Sequence, residues 1–121
     1  MSSAPAKSNT PAAAPAADIT KYNGHRLPNY TTLLYAMKLS LTEDKQISMD
    51  YWVNSLEQTA CIGVRESDTK ERLLVRSEEE YTSPIAKIYK APAPDNTEYI
   101  IMTENTIYIV DVNIPTRRVS M

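Results

Sequence analysis

Residues 98–111, EYIIMTENTIYIVD, constrain the fold of this chain more than any other stretch. Two apolar runs flank the polar TENT, so the chain must double back within a few residues. Tyr99, Ile101 and Thr103 alternate against Ile100 and Met102 on the way out, and Ile107 and Ile109 against Tyr108, Val110 and Val112 on the return. Both faces of the ribbon are therefore apolar, and each must be covered by helix, arm or opposing sheet. The stretch predicts a central hairpin. Glu104 and Asn105 fall at its tip, where Asn tolerates the left-handed backbone of a tight turn.

Upstream, ACIGVRE (60–66) and ERLLVRS (71–77) flank the polar SDTK, a turn of the kind that joins antiparallel strands. PIAKIYKA (84–91) and the proline-bearing loop PAPDN (92–96) lead into the hairpin. Five short strands at hairpin spacing predict an antiparallel meander. In NYTTLLYAMKLSL (29–41), Asn29 is placed as an N-cap after Pro28, and Leu33, Leu34, Met37 and Leu41 recur at helical spacing. This predicts a helix with those four residues as its apolar face; a strand over AMKLSL is the rival reading. QISMDYWVNSL (46–56) fits a strand through Ile47, Met49, Tyr51 and Val53, or a helix through Met49, Trp52, Val53 and Leu56. Its β-branched and aromatic content favours the strand. ITKYNGHRLPNY (19–30) reads as an irregular arm anchored by Ile19, Tyr22 and Leu27. The fold class expected is α+β: one helix packed on a five- or six-stranded antiparallel meander sheet, which at that size can curl into a small barrel. An Ala/Pro-rich leader, 1–18, has too little apolar bulk to offset its ordering entropy and is expected to be disordered. The domain is then 19–114, with a flexible tail at 115–121.

The formal charge of −2 excludes the single-sign field of a strong nucleic-acid or membrane-surface binder. A single cysteine, Cys61, excludes an internal disulfide and any multi-cysteine zinc site. No apolar run approaches the roughly 20 residues of a membrane-spanning helix, and the leader lacks the apolar centre of a secretory signal. A cytoplasmic location is the expectation.

Little in the chain suggests catalysis. His25, the only histidine, has no neighbour at metal-ligand spacing and reads as a surface residue. Cys61 reads as a small buried hydrophobe. SEEE (77–80) begins like a capping box, but Pro84 stops it within a turn, and consecutive carboxylates diverge rather than converge on one ion. With two glycines there is no phosphate-cradling loop. Neither a catalytic site, a metal nor a cofactor is expected. Eight tyrosines and no phenylalanine suit half-buried strand faces, and also a contact surface for another protein. Tyr51 and Trp52 are the residues singled out for such a surface, and Arg117 and Arg118 in TRRVS for a weak basic contact.

The segments RLLVRSEEEYTSPIAKIYK, EYIIMTENTIYIVD and IPTRR together resemble small proteins of large nucleocytoplasmic DNA viruses, a likeness spanning about the last fifty residues and extending to LPNYTTLLYAMKLSLTEDKQISMDYW. The resemblance implies a viral protein made in the host cytoplasm and a component of the virion; it carries over no catalytic residues. The functional expectation is a non-enzymatic structural or protein-binding module whose partner is another protein or a further copy of itself. The alternative is a nucleic-acid-associated protein using a tyrosine-bearing sheet face and the basic tail.

Overall fold

The computed structural model of the protein describes residues 21–91 and 97–120; the leader, Ile19 and the PAPDN loop lie outside the described residues. The first half of the chain runs β1 (Lys21–Tyr22), β2 (His25–Arg26), α1 (Tyr30–Glu43), β3 (Gln46–Ser48) and α2 (Trp52–Leu56). The second half is all strand: β4 (Cys61–Arg65), β5 (Arg72–Val75), β6 (Ile85–Lys90), β7 (Glu98–Thr103), β8 (Thr106–Asp111) and β9 (Thr116–Val119).

The β7–β8 hairpin sits where its two apolar faces require. Its register pairs Glu98 with Asp111 and Met102 with Ile107, and it occupies the middle of a four-stranded sheet ordered β3-β8-β7-β6. Ile101 and Val110 face a second sheet, β5-β4-β9, and pack there with Ile62, Leu74, Tyr51 and Ile114. Ile100, Met102, Ile107 and Ile109 face the helices and pack with Ala36 and Trp52. Two cores thus share one ribbon. Thr103 holds the tip, its Oγ1 donating to the Thr106 carbonyl at 3.1 Å and accepting the Thr106 N–H at 3.3 Å. Asn105 does not take the left-handed backbone expected of it, since the hydroxyl closes the turn instead.

All five strands expected from 60 onward are present, but they do not form one meander. The described residues form an α+β fold with two helices and with sheets of two, four and three strands, and among them no barrel closes. After β5 the chain starts a hairpin: Val75 bridges Tyr81, and the Thr82 N–H donates to the Leu74 carbonyl at 2.9 Å. Pro84, without an N–H to continue the ladder, follows within two residues, and β6 joins the edge of the other sheet. There a bulge between Ile85 and Lys87 shifts the alternation. Ile85 and Ile88, which strict alternation would put on opposite faces, therefore pack on the same core.

Among the described residues two pairings are parallel, β3 with β8 and β4 with β9. The latter corrects the flexible tail: Thr116–Val119 is an edge strand, and the Pro115 carbonyl accepts the Ile62 N–H at 2.8 Å. Gly63 makes room for it, because a Cβ there would lie 2.9 Å from Val75 Cγ2 and 3.0 Å from Val119 Cγ1. The ambiguous segment 46–56 divides into strand β3 and helix α2. The irregular arm is a tight hairpin, β1–β2, turned by Asn23 (φ 49°) and Gly24 (φ 82°). Successive positive φ values are what a two-residue hairpin turn demands, and Asn-Gly is the pair that supplies them most readily.

Candidate functional site

The arm is held by charge rather than by Tyr22 and Leu27, both of which are exposed. Arg26 reaches from β2 to the open end of the central hairpin and bridges its two terminal carboxylates. Its Nη1 donates to Glu98 Oε2 and its Nη2 to Asp111 Oδ1, each at 2.6 Å. Glu98 is fully buried, and its carboxylate also accepts from Thr32 Oγ1, from Thr97 Oγ1 at 2.8 Å and from Asn29 Nδ2 at 3.3 Å. The second oxygen of Asp111 accepts the Asn113 N–H at 2.9 Å. Beneath the guanidinium lies Trp52, whose ring centroid is 5.0 Å from Arg26 Cζ and whose Nε1 donates to the Arg26 carbonyl at 2.9 Å. One clasp therefore joins the arm, the start of α1, α2 and both ends of the hairpin.

Its electrostatics favour the ionised forms of both partners. Burial alone would push the Glu98 carboxyl up, but hydrogen bonds from Thr32, Arg26 and Thr97, with the Arg26 charge, hold it below its ordinary value. Burial likewise works against the Arg26 charge, and the bonds to Glu98 and Asp111 outweigh it and raise its pKa. Glu98 Oε2 accepts from Arg26, Asn29 and Thr97 and Oε1 from Thr32, so the carboxylate is engaged in joining segments of the fold. The clasp is structural.

It also fixes how α1 rotates. Asn29 stands at the N-cap as expected, yet its side chain makes no cap bond and instead donates to Thr97 Oγ1 at 2.6 Å. With Asn29 and Thr32 tied to the hairpin, α1 turns Thr32 and Ala36 into the core, with Leu33 and Leu39 half-buried beside them. The face expected to be buried is displaced by roughly a third of a turn. Leu34 is 37%, Met37 56% and Leu41 84% exposed, and Tyr30 extends the row at 78%. Only Leu33 of the four expected core residues packs inward.

Tyr51 and Trp52, singled out for a contact surface, are both inside. Tyr51 packs edge-on to Tyr108, with centroids 5.4 Å apart, and burial pushes its hydroxyl up to about 12. Trp52 serves the clasp. Arg117 and Arg118 are exposed on the edge strand β9, with Arg118 Nη1 3.6 Å from Glu66 Oε2. His25 lies 3.3 Å from Glu57 on the surface, and neither lines the grooves between β5 and β9 or beside Trp52. Cys61 is buried, and that burial raises its thiol pKa. Ser77 accepts the Glu79 and Glu80 N–H groups in a polar loop rather than a helix, and Glu80 pairs with Arg76 at 2.6 Å. Among the described residues no three His, Cys, Asp or Glu side chains converge as metal ligands.

Comparison with protein-family models, curated proteins and solved structures finds no match. The site must therefore be read from its own geometry. The feature that most departs from an ordinary folded surface is the outer face of α1. Tyr30, Leu34, Met37 and Leu41 follow one another at intervals of four, three and four residues, the spacing of a coiled-coil seam. From sequence these side chains were indistinguishable from core; only the clasp reveals that they point outward. Arg26, Glu98 and Asp111 were missed for the complementary reason, since lone charges at strand ends ordinarily read as solvated. The Asn-Gly turn was the available signal, because it brings a hairpin and its arginine back onto the domain.

Proposed function

We propose that this chain is a non-enzymatic protein-binding or structural module that presents α1 as its contact surface. The observation carrying this reading is the exposed seam of Tyr30, Leu34, Met37 and Leu41. Contiguous apolar rows of this size on a folded surface usually mark interaction sites, and a helix showing such a row is the standard element of helix-to-helix docking. The charged groups buried in the fold are occupied in holding it together, which supports a binding role over a catalytic one. The resemblance to small proteins of large nucleocytoplasmic DNA viruses supports assembly in the host cytoplasm, with incorporation into the particle as its destination. No helix among the described residues is long and apolar enough to cross a membrane. The nucleic-acid alternative is weakened by the burial of Tyr51 and Trp52 and by the pairing of Arg118 with Glu66.

The test is capture from the native extract on tagged protein. Wild-type bait should retain specific proteins that a Met37→Glu/Leu41→Glu bait loses, with both baits giving the same circular dichroism and melting temperature. Identical retention by the two would refute α1 as the contact surface.

A further inference from the structure

We infer that the occupant of the α1 seam is α1 of a second copy of this chain, packed antiparallel about a two-fold axis. This rests on the reading of α1 as the contact surface and adds the partner. The spacing argues for it. Intervals of four, three and four residues read the same in both directions, so the row is complementary to its own reverse. A two-fold then sets Leu34 against the partner's Met37, and Tyr30 against the partner's Leu41. Such self-matching is what an isologous interface requires.

Charge sets the direction. The first turn of α1 has no acidic residue, while Glu43 and Asp44 are exposed at its other end. Antiparallel packing brings those carboxylates toward the partner's helix N-terminus, where the helix dipole favours them. A parallel pair would place them beside their own copies. Lys38, on the border of the seam, comes opposite the partner's Thr31 rather than the partner's Lys38, so like charges do not meet.

Area decides the strength. From the exposures of Tyr30, Leu34, Met37 and Leu41, each copy offers roughly 500 Å² of largely apolar surface, so these residues of a pair would bury at most roughly 1,000 Å². That lies at the lower edge of specific interfaces. The dimer should therefore form and dissociate with concentration.

Sedimentation equilibrium of the full chain tests this. The wild type should move from monomer to dimer mass as concentration rises. Met37→Glu/Leu41→Glu, whose changes lie on exposed positions, should keep its circular dichroism and stay monomeric. In a Cys61→Ala background, mild oxidation should cross-link a mixture of Leu34→Cys and Met37→Cys chains faster than either chain alone. A wild type monomeric to the highest attainable concentration overturns the inference, as does a dimer indifferent to the double substitution. Faster cross-linking of Leu34→Cys to itself overturns the antiparallel arrangement. If the wild type is monomeric but the double variant still loses proteins captured from the extract, the second copy is refuted while the binding surface stands.

Discussion

Arg26 is the residue on which the tertiary structure turns, because it neutralises two carboxylates that the hairpin register sets side by side. Removing it leaves Glu98 buried and unpaired beside Asp111. Breaking a fully buried pair costs about 3–5 kcal/mol. The Arg26 side chain is 40% exposed, so water reaches the clasp and about 2–3 kcal/mol is the expectation for Arg26→Ala. Urea unfolding checks this, with Arg26→Lys recovering only part of the loss, since lysine cannot span both carboxylates as a planar fork. The pH dependence has a definite sign. The Glu98 carboxyl is depressed when folded, so it stabilises the fold above its unfolded pKa of about 4.3 and loses that contribution as pH falls through the folded value. The wild-type urea midpoint should hold from neutral pH down to about pH 4.3 on this account and fall below it. Glu98→Gln should begin lower at neutral pH and fall less.

Among the elements, the strands of 60–112 were legible because alternation and turn residues agree there. The strand at 116–119 was not, because TRRV carries a single apolar side chain and draws its stability from pairing with β4. Ending the chain after Ile114 should cost at least about 1 kcal/mol, lowering Tm by roughly 4–8 °C. Unchanged calorimetric melting would return those residues to the status of a tail. Helix α1 was legible in extent and wrong in orientation. Periodicity identifies an apolar stripe but not whether the stripe faces the protein's own sheet or another molecule. Asn29 and Thr32, polar residues that a pattern search would place outside, decided the matter by bonding to the hairpin.

At the scale of the molecule, both cores are built on opposite faces of β7–β8, so neither layer can leave without exposing the ribbon. Unfolding should be a single transition. Trp52 fluorescence, which reports the helix side, and far-UV circular dichroism, weighted by both sheets, should give coincident urea curves; separated midpoints would show two independent layers. A two-sided apolar ribbon was determined by the sequence itself, since alternation in a strand assigns side chains to faces whatever surrounds them. So was the existence of a helix near residue 30 and of each strand from 60 to 112. What covers each face was decided only in three dimensions. The split into two sheets, the parallel return of β9, the clasp of Arg26 and the outward seam of α1 all depend on contacts between residues distant along the chain. Local pattern carries no information about such partners, because an apolar side chain gains as much from one water-excluding neighbour as from another.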